Sequence, residues 1–234
     1  MPQAVGAAYA YKRKKNGQVI ATFFGDGGSS TGDTHVGMNF ASVFEAPIIF
    51  ICRNNGYAIS TPVTDQYRGD GIASRGPGYG MATLRVDGND LFAVYNATKL
   101  ARKISLTQSR PVLIEAMTYR FGHHSTSDDS TAYRSAEEMQ HYNENNNPIV
   151  RFKKYIMNKN IWTEEDNEKC EKECLNIVTK GLKAAESQRL ASPLEIFNDV
   201  YDERTKNLNK QMNELKNHLS MYENEYPLHK HEKY

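Results

Sequence analysis

Two short segments hold most of the residues in this chain whose types and spacing could do chemistry. Gly25-Asp-Gly-Gly-Ser-Ser-Thr-Gly32 sets one carboxylate, Asp26, among glycines directly after an apolar run. Cys52-Arg-Asn-Asn-Gly-Tyr57 sets two adjacent amides after the next apolar run, and Asn55 follows Asp26 by 29 positions. A glycine-rich turn between a strand and a helix is where doubly wound sheets bind phosphates. Two familiar phosphate loops are excluded. The Walker loop ends in Gly-Lys-Ser/Thr, and no lysine lies between Gly25 and Phe44; the dinucleotide fingerprint begun at Gly25 needs a glycine where Ser30 stands. Something else uses these glycines.

A third segment, Gly122-His-His-Ser-Thr-Ser-Asp-Asp-Ser130, brings together imidazoles, hydroxyls and carboxylates. A histidine near neutrality can donate or accept a proton. Taken alone, His123 and His124 read more readily as a pair of surface-loop histidines or an incidental metal site. Cys170 and Cys174 lie one helical turn apart, but no neighbouring His or Cys completes a tetrahedral zinc site.

The elements that must position these groups follow from periodicity. Apolar runs at 19–24, 47–52 and 111–116, with a weaker one at 83–86, read as buried strands of a parallel sheet. Between them lie helices at 33–44 and 91–108, the second capped by Asn89 or Asp90, and residues 4–15 read as a small-residue first helix. Strand–helix–strand takes about thirty residues and returns the chain beside its first strand, so the Asp26-to-Asn55 spacing puts both on neighbouring strand ends. Residues 57–80 read as a long functional loop and 120–134 as a second irregular stretch. Beyond 135 the chain is polar and helical, with Leu208, Met212, Leu215, Leu219 and Tyr222 on one helical face.

Composition narrows the class. The 234 residues suit one globular domain with a polar helical extension, and 29 Lys plus Arg against 28 Asp plus Glu argue against a nucleic-acid partner. Three cysteines argue against a disulfide framework and for a reducing compartment. The apolar runs are too short to span a bilayer, and the N-terminal residues have the texture of neither a transit peptide nor a signal peptide.

Gly-Asp-Gly followed by Asn-Asn at this distance resembles the cofactor motif of thiamine diphosphate enzymes. Longer stretches resemble the alpha subunits of the decarboxylase component of branched-chain 2-oxo acid dehydrogenase complexes. They are Arg53-Asn-Asn-Gly-Tyr-Ala-Ile-Ser-Thr-Pro62, Tyr67-Arg-Gly-Asp-Gly-Ile72, Arg75-Gly-Pro-Gly-Tyr-Gly80, Val86-Asp-Gly-Asn-Asp90, Glu115-Ala-Met-Thr-Tyr-Arg120 and the His-Ser segment with Ala132-Tyr-Arg-Ser135. The resemblance covers essentially the whole chain, more loosely after Glu137. A pyruvate-type alpha subunit shares the signature residues, although its histidine loop is expected to read differently. A non-catalytic fragment or assembly subunit would also keep the fold.

The resemblance implies an α/β thiamine diphosphate-binding fold, a parallel sheet flanked by helices, with the core in 1–135 and a helical C-terminal part in 136–234 that packs on the core and on partner subunits. It implies oxidative decarboxylation of branched-chain 2-oxo acids and reductive acyl transfer to lipoyl groups, with thiamine diphosphate and Mg2+ as cofactors. Asp26, the Asn55 side chain and the Tyr57 carbonyl become the metal ligands. Gly27, Gly28 and Arg53 become contacts of the diphosphate, His124 a catalytic proton-handling residue beside the cofactor, and Ser125 and Ser135 regulatory phosphorylation sites for a kinase. A beta subunit completing an alpha2beta2 heterotetramer, a lipoyl-bearing acyltransferase core and the mitochondrial matrix are the expected setting. Two departures stand out. Close relatives tend to carry Glu where Asp26 stands, and the family's long N-terminal segment, with further cofactor contacts and a potassium site, is expected to be missing. The isolated chain is accordingly expected to be inactive and weakly stable.

Overall fold

The computed structural model describes residues 1–233 and divides into two compact units, 1–162 and 163–234. The first runs α1 (Pro2–Lys14), β1 (Ile20–Gly25), α2 (Gly32–Val43), β2 (Ile48–Asn54), the short hairpin β3 (Tyr57–Ala58) and β4 (Thr61–Pro62), and α3 (Val63–Gln66). It continues through β5 (Ala82–Asp87), α4 (Leu91–Gln108), β6 (Val112–Met117), α5 (Ala136–Asn145) and α6 (Pro148–Asn158). The four longer strands form an all-parallel sheet in the order β1-β2-β6-β5.

Strand β2 reads as a continuous apolar run because both of its faces are covered. Ile48, Phe50 and Cys52 join Val5 and Ala8 of α1 and Met38 and Ala41 of α2 in one core layer. Ile49 and Ile51 face the other way, with Ala101 and Ile104 of α4 and Val112 and Ile114 of β6. Phe50, Ile48 and Met38 are fully buried, and each contributes roughly 1.5–3 kcal/mol of burial.

The first helix starts on Pro2, whose missing N–H costs nothing at that position, and stops where Lys15 turns left-handed at φ 51° after Lys12, Arg13 and Lys14. Asp90, not Asn89, caps α4, accepting from the N–H groups of Phe92 at 2.9 Å and Ala93 at 3.0 Å. Asn89 is buried instead and accepts from the Thr118 hydroxyl.

The reading of β1 as a buried strand is corrected: it lies at the sheet's edge, half covered. Thr22 and Phe24 are partly buried while Ala21 and Phe23 are exposed, Phe23 by 67%, since α4 packs mainly on β2, β6 and β5. Residues 57–80 are more ordered than an irregular loop, being built from the β3–β4 hairpin, α3 and two short 3-10 turns.

The division between units falls after Trp162, later than position 135, because α5 and α6 are tied into the first unit. Tyr142 stacks on Tyr119 with ring centroids 4.0 Å apart, Phe152 and Tyr155 pack on Phe92, and Arg151 pairs with Asp87 at 2.8 Å. The second unit holds α7 (Glu164–Glu186), started by a capping box of Thr163 and Asp166, and α8 (Lys206–Met221). In α8 Leu219 is buried, Leu208, Met212 and Leu215 are partly buried, and Tyr222 beyond its end is exposed. No helix of the described residues is long and apolar enough to cross a membrane.

Candidate cofactor site

The parallel register sets Gly25 opposite Arg53, so the two chemistry-bearing turns leave the sheet side by side. Asp26, one residue past β1, is completely buried. Its Oδ1 accepts from the Asn55 N–H at 3.2 Å and its Oδ2 from the Gln66 side-chain amide at 3.1 Å. Among the described residues it forms no ion pair. Both of its donors are neutral amides.

Asn55 is partly buried, and its Oδ1 accepts from the Tyr57 N–H at 3.2 Å, which closes a small turn and fixes the peptide leading to Tyr57. Gln66 Oε1 is buried without a partner. A carboxylate, a side-chain amide and the turn leading to Tyr57 are thus linked by hydrogen bonds where β1 and β2 end, and their oxygens are of the kind a small hard cation takes. No cluster of three His, Cys, Asp or Glu side chains able to hold a metal occurs among the described residues, so amide and carbonyl oxygens would have to complete any shell here.

Gly27 is required by the packing of the two turns. A Cβ there would lie 2.8 Å from the Ala58 Cβ, so the glycine is what lets the β3 hairpin sit against the turn; a Cβ on Gly28 would meet only Phe24 at 3.7 Å. Arg53, the residue opposite Gly25, is exposed on the face away from Cys52.

Sequence reading missed the group that holds this arrangement. Glu115 of β6 sits opposite Cys52 and Arg85 in the register and is fully buried. Its Oε1 accepts from the Ile72 N–H and the Asn54 side-chain amide, both at 2.8 Å. Its Oε2 accepts from the Ala73 N–H at 2.8 Å and Arg85 Nε at 2.9 Å. Burial alone would push its carboxyl up; the donors from Ile72, Asn54, Ala73 and Arg85 outweigh that and hold it below the ordinary carboxylate range. The available signal was a charge inside an otherwise apolar strand. Burial, Glu115 and Asp26 all push the neighbouring Cys52 thiol far up.

The loop 120–134 is a hydrogen-bonded net. Arg134, buried, donates to the carbonyls of Arg120 and Gly122, and its guanidinium lies 5.1–5.8 Å from the ring centroids of Tyr119, Tyr57 and Tyr133. Arg120 donates to the Ile59 carbonyl at 2.8 Å and to the Tyr133 hydroxyl, which in turn donates to Asp128. These contacts dock the loop on the β3–β4 turn. Tyr57 and Tyr119 both donate to Glu138, and burial together with that carboxylate pushes the Tyr119 hydroxyl up to about 12.

The two histidines separate cleanly. His123 Nδ1 accepts from the Ser130 N–H at 3.1 Å, which ties it into the loop. His124 is exposed, and its backbone N–H, donating to Asp128 at 2.7 Å, is what holds it. That N–H, followed by the Tyr133 hydroxyl, keeps the Asp128 carboxyl below its ordinary value. Ser125 is exposed at the loop tip, whereas the Ser135 hydroxyl caps α5 by accepting from the Glu138 N–H. The structure thus joins Asp26, Asn55 and Tyr57 directly, reaches the His124 loop through Tyr57 and Ile59, and keeps Ser135 at a helix start.

Residues 1–194 match the family described as dehydrogenase E1 component. The chain is 55% identical over 229 residues to the mitochondrial 2-oxoisovalerate dehydrogenase subunit alpha of Caenorhabditis elegans, covering 97% of this chain and 53% of that protein. It is 52% identical over 233 residues to the subunit of that name from Mus musculus, covering 100% and 53%, and 52% identical over 228 residues to the one from Homo sapiens, covering 97% and 51%. The chain spans about half the length of the curated relatives it matches. With a matched stretch that reaches from the first helix past the whole sheet, the chain belongs to the dehydrogenase E1 component family.

Proposed function

We propose that this chain is part of the alpha subunit of a branched-chain 2-oxo acid dehydrogenase, binding thiamine diphosphate through Mg2+ at the ends of β1 and β2. The observation that carries this is the buried carboxylate of Asp26, without an ion pair among the described residues, against the Asn55 turn. The names of the relatives favour 2-oxoisovalerate, a branched-chain acid, over pyruvate as substrate. The setting that goes with it is the mitochondrial matrix, an alpha2beta2 assembly and a lipoyl-bearing acyltransferase core.

In this reading Asp26, the Asn55 amide oxygen and the Tyr57 carbonyl hold the ion, with Gln66 and the Asn55 N–H fixing the Asp26 rotamer. Gly27 allows the turns to close, and Arg53 offers an exposed guanidinium to the diphosphate. When bound, thiamine diphosphate supplies the electron sink for loss of carbon dioxide. His124, free at its ring and fixed at its N–H, holds or moves a proton for the 2-oxo acid or the acyl acceptor. A beta subunit completes the site.

The test is titration of thiamine diphosphate with Mg2+ into the chain, with and without a beta subunit, followed by turnover of branched-chain 2-oxo acids and pyruvate. Mg2+-dependent binding and a preference for the branched acids are expected; binding without metal dependence would overturn the reading. His124→Ala should keep most cofactor affinity and lose about a hundredfold or more of lipoyl acylation in single turnover. Normal acylation would return His124 to the loop surface.

Ser125 and Ser135 differ as phosphorylation sites. A phosphate on Ser125 would stand in a loop whose shape depends on the Asp128 carboxylate three residues on, and like-charge repulsion should open it. Ser125→Glu is expected to speed proteolysis within 120–134 and lower activity. Ser135→Glu should do less, because negative charge is tolerated at the start of α5. Equal cleavage of parent and Ser125→Glu would refute charge-driven opening.

A further inference from the structure

Resting on the metal site just proposed, we infer that Gln66 is a further positioning residue of that site: it orients Asp26 and offers its own buried oxygen to the ion's water shell. The argument starts from how the amide is oriented. Gln66 Nε2 lies between Asp26 Oδ2 at 3.1 Å and the Thr61 carbonyl at 3.2 Å, so both of its N–H bonds have acceptors and neither can be exchanged for the oxygen. The oxygen is thereby directed away from both, and it is buried with no donor. An orphaned buried acceptor costs about 1–3 kcal/mol and calls for a partner.

The same few ångströms contain a fully buried carboxylate with no ion pair among the described residues. Both deficits have one remedy, a hydrated cation: the carboxylate supplies charge, and the amide oxygen accepts from a water of the shell. A lysine or arginine at 66 would satisfy Asp26 and displace the cation. A neutral amide fixes the carboxylate's rotamer without cancelling its charge. The backbone explains how Gln66 gets there. The β3–β4 hairpin, folded against Gly27, turns directly into α3, and Gln66 is that helix's last residue, so the hairpin carries the amide back over the turn that holds Asp26.

The experiment measures the Mg2+ concentration that half-saturates thiamine diphosphate binding by calorimetry on the full chain in its assembled form, for the parent, Gln66→Met and Gln66→Glu. Water-proton relaxation with Mn2+ in place of Mg2+ reads the ion's hydration. For Gln66→Met the half-saturating Mg2+ is expected to rise about 10–100-fold, as for other residues that support metal ligands from behind, with cofactor affinity recovered at saturating metal and the metal-free melting temperature little changed. Gln66→Glu keeps an oxygen but sets two carboxylates together, and should shift preference toward Ca2+ over Mg2+ and alter the relaxation of bound Mn2+. Parent-like metal dependence and relaxation in both variants would overturn the role of Gln66 and leave the site intact. A parent that binds thiamine diphosphate without Mg2+ would overturn the site and this role with it.

Discussion

Glu115→Leu is expected to cost about 3–5 kcal/mol of folding stability, the penalty for removing one partner of a buried ionic network. The replacement is similar in bulk, so the loss is not one of volume. It strands the Ile72 and Ala73 N–H groups and one face of the Arg85 guanidinium without acceptors, and leaves the Asn54 amide only the Tyr67 hydroxyl at 3.3 Å. Arg85 keeps Asp70, which limits the damage on its side. Urea denaturation measures the effect; a shift under about 1 kcal/mol would show that the network contributes little. Acid should report the same group. The folded-state pKa of Glu115 lies below its unfolded value, so the unfolded chain binds more protons as pH falls. The stabilisation is complete above the ordinary carboxylate range and is lost as pH drops through the depressed folded value. The parent should therefore lose more stability than Glu115→Leu on acidification across that window.

Asp26→Ala should abolish Mg2+-dependent binding of thiamine diphosphate, and Asn55→Ala should weaken it severely. A strict octahedral shell that loses its only protein carboxylate cannot offset the charge of a diphosphate and dication together. The structure adds a distinction. Asp26→Ala removes a buried carboxyl that forms no ion pair among the described residues, so without metal the variant should lose little stability, whereas with cofactor the parent alone should gain melting temperature. Asn55→Ala also loses the bond to the Tyr57 N–H and so displaces a second proposed ligand. Calorimetry on the assembled protein decides the matter, and parent-like affinity in either variant would move the metal elsewhere.

The parallel sheet and the adjacency of Asp26 and Asn55 were legible because they rest on local pattern: apolar runs of strand length, glycines after them, and a spacing that one helix fills. The half-exposure of β1 was not, because Val19 to Phe24 reads the same whether or not a helix covers both faces. Gln66 and Glu115 escaped for a different reason. Each acts through contacts 40 or more positions away, Gln66 on Asp26 and Glu115 on Ile72 and Ala73, and nothing in a one-dimensional pattern ties those residues together. The split between His123 and His124 needed the Ser130 N–H in space, although both histidines stood in view from the start.

Cys52 gives the site a clock of its own. Its thiol is fully buried in the apolar layer under α1 and α2, while Cys170 and Cys174 lie in the open. Alkylating reagents attack the thiolate, which burial and two nearby carboxylates suppress at Cys52, so two thiols should be modified at once and the third only when β2 parts from its neighbours. The lag of that third thiol measures the free energy of opening at the base of the site. Mass spectrometry of the alkylated chain reads it one molecule at a time, and a ligand that bridges β1 and β2 should lengthen it in proportion to how tightly it clamps them.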